Sequence, residues 1–174
     1  MDATSPFRIL TDEDVKVADP ALAADAEALY EAVSELVRAY QSLDRDRICC
    51  HDISISQCYA LEAVARRGGL TLNELAAHLY LDKSTASRVV DALERKGYVE
   101  RSPNPRDGRS LLLVATGTGK DLYGKIRGGL LAEEQALLSG FDPEVRQSMT
   151  KLIARLARAV AARVESGASC CRVD

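Results

Sequence analysis

The sequence predicts a mainly α-helical fold with one small β-hairpin, and three observations support that prediction. The chain has 174 residues, of which 47% are apolar but only 5% aromatic, so aliphatic side chains must fill the core, which favours helix against helix. Apolar residues recur at helical spacing through most of the chain. Residues 99–114 instead combine two short β-favouring runs with a turn-rich segment between them.

Long amphipathic helices are predicted towards both ends of the chain. After an N-terminal arm at residues 1–19, Pro20 suits a first helical turn, and a heptad-like apolar stripe follows over residues 20–47. A later helix begins at Asp142-Pro143-Glu144, where an N-cap residue, a first-turn proline and an acid coincide. Neither stripe has an obvious place in the middle of the chain, so we expect a dimerisation region. The predicted division is the arm at 1–19, a first dimerisation helix at 20–47, a middle domain at 48–115, and C-terminal dimerisation helices with a Cys-Cys tail at 116–174.

The middle domain contains a pair of helices joined by a short turn. Thr71 and Glu74 form a capping box that opens the first helix of the pair. The second helix is predicted from Lys83 to Lys96, with Gly97 ending it. Two helices joined in this way present the second helix to a DNA major groove. Its first turns carry hydroxyl and cationic side chains that suit phosphates and base edges, namely Lys83, Ser84, Thr85, Ser87 and Arg88.

A β-hairpin is predicted directly after this helix pair. Its strands are expected at residues 99–101 and 110–114, and the loop between them is rich in Pro, Asn, Asp and Gly. The loop also carries Arg106 and Arg109, and arginine at the tip of a flexible loop suits a narrow minor groove. A further helix begins at Thr116 and is weakened by Gly124, Gly128 and Gly129, where we expect a bend.

The charge of the chain is unevenly distributed. A net charge of −3 by itself argues against a nucleic-acid partner. However, residues 83–109 contain seven Lys and Arg and four Asp and Glu, a net charge of +3, whereas residues 1–35 contain two bases and nine acids, a net charge of −7. The positive part therefore coincides with the surface that is predicted to read DNA.

Several classes of protein are disfavoured by what the sequence lacks. No apolar run approaches the roughly 20 residues that a membrane span needs, so we expect no membrane partner. The acidic N-terminus does not resemble a signal peptide, so we expect a cytoplasmic protein. A thiol oxidoreductase or deaminase is disfavoured because there is no Cys-x-x-Cys, Gly-rich phosphate loop or recognisable Ser–His–Asp set. We therefore expect no enzyme and no required cofactor.

From Leu70 to Tyr123 the chain resembles the MarR (multiple antibiotic resistance regulator) family of winged helix-turn-helix transcriptional regulators. The motifs that carry the resemblance are residues 72–76, residues 82–101, the wing signature at 107–110 and Thr116-x-x-Gly119, and the flanking helices extend it to about residues 20–165. Gly117-Thr118 departs from the family, in which charged residues are common there. The resemblance implies a homodimer on a palindromic double-stranded DNA operator, with recognition helices about 34 Å apart. It also implies that Arg109 enters the minor groove and that Asp107 shapes the wing.

Five cysteines form two groups that are candidates for sensing an effector. Cys49, Cys50 and Cys58 lie with His51 between the first two helices, a hinge region that borders the effector cleft in a MarR-like dimer. Their thiolates suit a soft ion such as As(III), Hg(II) or Zn(II), and arsenite is the favoured effector. Cys170 and Cys171 follow the last helix and are tentative members of the same site.

Other interpretations of the sequence remain open. A cysteine of low pKa is also a candidate sensor of oxidants or electrophiles, and Cys58 near Leu61 is a candidate core residue. If the cysteines have no role in sensing, the expected effector is a small phenolic ligand. A winged helix used for contact with another protein is the alternative of a different class. The main hypothesis is a repressor that is released from DNA by its effector.

Overall fold

The computed structural model describes residues 20–48, 51–105 and 107–166. The described residues form six helices and one antiparallel hairpin, so the predicted mainly helical fold is confirmed. None of these helices is both long and apolar enough to cross a bilayer. The elements in chain order are α1 (Pro20–Ile48), α2 (Ile55–Arg67), α3 (Leu72–His78), α4 (Lys83–Arg95), β1 (Val99–Pro103), β2 (Leu111–Ala115), α5 (Gly117–Leu138) and α6 (Pro143–Glu165).

The chain divides into two compact units between Cys58 and Tyr59, and the first unit contains α1 and the start of α2. Ile48 is the one residue of α1 that is buried. Much of its large apolar surface is exposed: Leu22 is 52% exposed, Leu29 49% and Leu36 45%. The predicted apolar stripe is therefore present on α1, and its large side chains are about half exposed to solvent.

The second unit contains a buried core that is built around the hairpin. α3 packs against α4, α4 contacts β1, and both α3 and α5 contact β2. The hairpin pairs Val99 with Ala115 and Arg101 with Leu113. Leu70, just before α3, bridges to Leu113 through both backbone groups, at 2.7 and 3.1 Å. The largest fully buried side chains are Leu61, Leu75, Leu93, Leu113, Val64 and Val90.

The first turn of α5 is held tightly against the chain that connects α4 to β1. Thr116 is the N-cap of α5, and its Oγ1 accepts the Gly119 N–H at 3.0 Å while donating to the Gly97 carbonyl at 2.7 Å. A Cβ added at Gly119 would lie 2.0 Å from the Tyr98 carbonyl oxygen, inside any permitted contact distance. Glycine at position 119 is therefore a packing requirement, and the resemblance motif Thr116-x-x-Gly119 has a physical reason.

The two C-terminal helices differ in burial, since α5 has two buried residues, Gly119 and Ile126, and α6 has none. α5 runs as one helix from Gly117 to Leu138, through the three glycines where a bend was expected. α6 contains no buried residue, although it begins at Pro143 as predicted. Leu152, Ile153 and Val160 on α6 are 63%, 53% and 52% exposed. The apolar stripe of α6 is therefore as uncovered as that of α1.

Candidate nucleic-acid interface

The N-terminus of α4 is organised by one acidic residue. Asp82 is the N-cap of the helix, and its Oδ1 accepts the Thr85 N–H at 2.9 Å. The same carboxylate accepts the Ser84 hydroxyl and the Thr85 hydroxyl, each at 2.6 Å. These hydrogen bonds, led by the one from Ser84, hold the pKa of Asp82 well below its ordinary value. Asp82 is therefore an anion that fixes the first turn of the helix.

The hydrogen bonds of this cap also determine how the Ser84 and Thr85 hydroxyls can bond to a ligand. A hydroxyl has one proton to donate and two lone pairs to accept with. The protons of Ser84 and Thr85 are directed to Asp82, which leaves their oxygens as acceptors. Such acceptors suit the amino groups on base edges better than phosphate oxygens, which are acceptors themselves.

The faces of α4 are those that the sequence predicted. Ala86, Val90 and Leu93 are buried, while Val89 is only half-buried. Lys83, Ser84 and Arg88 are exposed, and Thr85 and Ser87 are half-buried. The helix thus presents two cations and several hydroxyl oxygens on the side away from its core.

Arg101 on β1 ties the hairpin to α4. Its guanidinium donates to Asp91 at 2.6 Å and makes a second ion pair with Glu94. The hydrogen bond to Asp91 is the main cause that raises the pKa of Arg101 above its ordinary value. The charge of Arg101 is therefore offset inside the domain, and this arginine aligns the hairpin with the helix. The sequence analysis included Arg101 only in the net charge of residues 83–109 and did not predict its ion pairs with Asp91 and Glu94.

The loop of the hairpin is held by a small set of hydrogen bonds. Asp107 Oδ1 accepts the Arg109 N–H at 3.1 Å, and Asn104 Nδ2 donates to Ser110 Oγ at 2.8 Å. The Ser110 N–H in turn donates to the Asp107 carbonyl at 3.0 Å. The exposed side chain of Arg109 thus extends from an ordered turn. Arg106, the other predicted loop cation, lies outside the described residues.

The predicted cysteine site falls mostly outside the described part of the chain. Cys49, Cys50, Cys170 and Cys171 all lie there. Cys58 on α2 is buried at 6% exposure, and His51 is half-buried. Among the described residues, no group of three or more His, Cys, Asp or Glu side chains is placed to hold a metal ion.

An open cleft of about 520 Å³ lies between α2 and the end of α3. Arg66 pairs with Glu62 at 3.2 Å, and Arg67 Nη2 lies 3.1 Å from His78 Nδ1. Tyr59 also lines the cleft. Sequence analysis did not single out this cleft, because its residues come from two helices without a shared motif.

The helix pair, the exposed cationic start of α4 and the hairpin anchored to α4 by Arg101 define the winged helix-turn-helix class of DNA-binding proteins. A sequence profile of the MarR family matches residues 51–110. The chain is 31% identical over 107 residues to an uncharacterized HTH-type transcriptional regulator of Mycobacterium bovis, covering 60% of this chain and 75% of that protein. The chain belongs to the MarR family of transcriptional regulators.

Solved structures agree with this assignment at the level of the fold. The DNA complex of FabT from Streptococcus pneumoniae is similar with a TM-score of 0.70 and 20% identity, over 78% of this chain and 96% of that one. A MarR transcriptional regulator from Methanosarcina mazei is similar with a TM-score of 0.67 and 27% identity, over 76% and 96% of the two chains.

Proposed function

We propose that this MarR-family regulator is a homodimeric repressor that binds a palindromic DNA operator in the cytoplasm and has no catalytic role. The observation that carries the proposal is the exposed pair Lys83 and Arg88 on α4, set beside an ordered loop that extends Arg109. A helix and a wing loop fixed in this way match a major groove and the minor groove next to it. The similar FabT structure contains DNA, which supports the same class of ligand here.

Each predicted interface residue has a role in this proposal. Arg88 and Lys83 contact base edges or phosphates, and Ser84, Thr85 and Ser87 accept hydrogen bonds from bases through their oxygens. Arg109 and Arg106 hold the minor groove. Asp107 orients the loop by accepting the backbone N–H of Arg109. The loop therefore supplies affinity, whereas α4 supplies most of the sequence preference.

The uncovered apolar stripes support the proposed homodimer. α1 and α6 both present large apolar side chains that are about half exposed. Leu137 at the end of α5 and Phe141 between α5 and α6 are 56% and 40% exposed. Large apolar side chains left exposed along a helix mark an interface. A second copy is the proposed occupant, because a two-fold axis also places two recognition helices for the two halves of a palindrome.

The effector is proposed to act through the cysteines near the start of α2. Cys58 is buried, and Cys49, Cys50 and His51 are its neighbours in sequence. Arsenite bound by these thiolates, with Hg(II) or Zn(II) as alternatives, would favour a dimer in which the recognition helices are wrongly spaced for DNA. Such a switch requires that the ion bind the two conformations with unequal affinity.

The test of DNA binding is the salt dependence of affinity. The logarithm of the association constant should fall linearly with the logarithm of salt concentration, with a slope of about −0.9 per neutralised phosphate. Replacing Arg109 with Ala in both subunits should reduce the magnitude of that slope by up to about 2. A winged helix used only for protein contact would show no such slope with any duplex.

The test of the effector is separate from the test of DNA binding. Gel shifts with arsenite, Hg(II), Zn(II) or peroxide are compared between the wild type and Cys49→Ser, Cys50→Ser and Cys58→Ser variants. Release by arsenite that the Ser variants lose supports thiol sensing of a metalloid, and release by peroxide alone supports oxidant sensing. If none of these agents alters DNA binding, the thiol proposal is wrong and a small phenolic ligand becomes the effector to test.

A further inference from the structure

The two helices of the helix-turn-helix end in the same backbone motif. After α4, the Gly97 N–H donates to the Glu94 carbonyl at 2.9 Å and the Tyr98 N–H to the Leu93 carbonyl at 3.0 Å. Gly97 has a φ of +74°, the left-handed conformation that closes this motif. Glycine is the usual residue there because it has no Cβ to clash with the following carbonyl.

Tyrosine occupies the equivalent position after α3. The Tyr80 N–H donates to the Ala77 carbonyl at 3.2 Å and the Leu81 N–H to the Ala76 carbonyl at 2.9 Å. The φ of Tyr80 is +54°, and among the described residues no other non-glycine has a positive φ. A bulky side chain therefore stands where the same fold, one helix later, uses glycine.

The side chain of Tyr80 makes no hydrogen bond within the described chain that would offset this strain. Tyr80 is 57% exposed, and its phenol makes no hydrogen bond to any residue that the structure describes. The ring is therefore not retained for the core or for a polar network. Residues in sparsely populated backbone conformations cluster at functional sites, so an exposed tyrosine in such a conformation points to a role in binding.

The position of Tyr80 indicates what that use is. It lies in the turn between α3 and α4, two residues before the N-cap Asp82 and close to the exposed Lys83. In helix-turn-helix docking the first helix crosses the DNA backbone while the N-terminal residues of the second reach base edges. The turn between them is thus brought beside the sugar-phosphate chain.

We propose that Tyr80 is a DNA-backbone contact that donates its phenolic hydrogen to a phosphate oxygen and lays its ring against the adjoining sugar. Tyrosine is among the side chains that make such contacts. The proposal rests on the proposed DNA-binding function. It implies that the strained backbone at Tyr80 lowers the stability of the fold, while the side chain of Tyr80 raises the affinity for DNA.

The experiment compares two variants of the full-length protein with a control. Binding is measured by fluorescence anisotropy at low salt on a labelled duplex of arbitrary sequence and about 30 base pairs, because backbone contacts do not depend on sequence. Tyr80→Phe should weaken binding about 10-fold per dimer through the lost charge-assisted hydrogen bond. Tyr80→Gly should weaken it at least as much while its Tm equals or exceeds that of the wild type. Tyr30→Phe removes the hydroxyl of another exposed tyrosine, on α1, and should bind as the wild type does.

The outcomes separate this inference from the function on which it rests. If the wild type binds the duplex and both Tyr80 variants bind equally well, the inference is overturned and DNA binding stands. A Tm for Tyr80→Gly well below that of the wild type would also overturn it, because the ring would then be a structural residue. If the wild type shows no salt-dependent DNA binding, both proposals fall together.

Discussion

Burial of large apolar side chains differs between two regions of the molecule: the segment from Leu70 to Ala115, and the long helices α1 and α6. In the first region Leu75, Leu93 and Leu113 are almost fully buried, and backbone bridges and the Arg101 ion pairs connect its elements. In the long helices, side chains of the same kind are about half exposed. The difference shows that the winged region buries its large apolar side chains within the described chain, whereas those of the long helices are exposed and would be covered in the proposed homodimer.

The largest expected effect is at the C-terminal edge of the winged region, where the first turn of α5 closely contacts Tyr98. Gly119→Ala places a methyl group against the Tyr98 carbonyl, which cannot move without losing its hydrogen bond from the Thr116 N–H at 3.1 Å. We expect a loss of about 3 kcal/mol in the free energy of unfolding, at the upper end for an overpacked site. Urea unfolding measures it.

The control for Gly119→Ala lies on the same helix. A Cβ at Gly124 meets nothing within 4 Å, so Gly124→Ala should raise the free energy of unfolding, by up to about 1 kcal/mol. Equal effects of the two substitutions would contradict the contact between Gly119 and the Tyr98 carbonyl.

The second effect concerns the exposed stripe of α6, which the proposed homodimer would bury. Leu152→Glu places a charge in the exposed stripe of α6, and burying an unpaired charge in a dimer costs several kcal/mol. We expect the dimer dissociation constant to rise by about 100-fold or more, measured by light scattering across a dilution series. Gln147→Glu adds the same charge at another exposed position of α6 and serves as the control. A dimer that survives Leu152→Glu unchanged would remove α6 from the interface.

A smaller effect is expected where the two parts of the winged region are joined. The side chains of Arg101, Asp91 and Glu94 are 31%, 43% and 38% exposed, so their ion pairs are partly screened by solvent. Arg101→Met should cost about 1 kcal/mol of unfolding free energy and loosen the wing relative to α4. A double-mutant cycle with Asp91→Ala isolates the pair. A coupling energy of zero would show that Arg101 acts on its own.

The order of elements was predictable because the signals for it are local. Thr71 and Glu74 form the predicted capping box, with the Thr71 N–H donating to Glu74 at 2.7 Å, and Pro143 begins α6. The candidate interface was predicted from the resemblance motifs, which are contiguous in sequence. The family assignment rested on those runs and is confirmed.

Contacts between distant residues were not predictable in the same way. The ion pair of Arg101 with Asp91 joins residues on two different elements. Only the packing of the hairpin against α4 shows that Arg101, among the arginines of the wing, is the one that pairs within the domain. The strain at Tyr80 was also hidden, because no local rule marks a tyrosine as left-handed. The glycines of α5 show the converse, since α5 continues through all three and a weak propensity does not by itself end a helix.

The smallest effect is expected at the cap of α4 and depends on pH. Because the folded pKa of Asp82 is depressed, the stabilisation from its ionised form is present above the unfolded pKa and is lost as pH falls through the folded value. The wild type should therefore lose more stability between about pH 5 and about pH 3 than Asp82→Asn does, because the amide does not titrate in that range. Thermal unfolding at matched ionic strength gives the two profiles. Parallel profiles would show that the carboxylate is no better bonded in the folded state than in the unfolded chain, and the hydrogen bonds from Ser84 and Thr85 would then not fix the reading end of the helix.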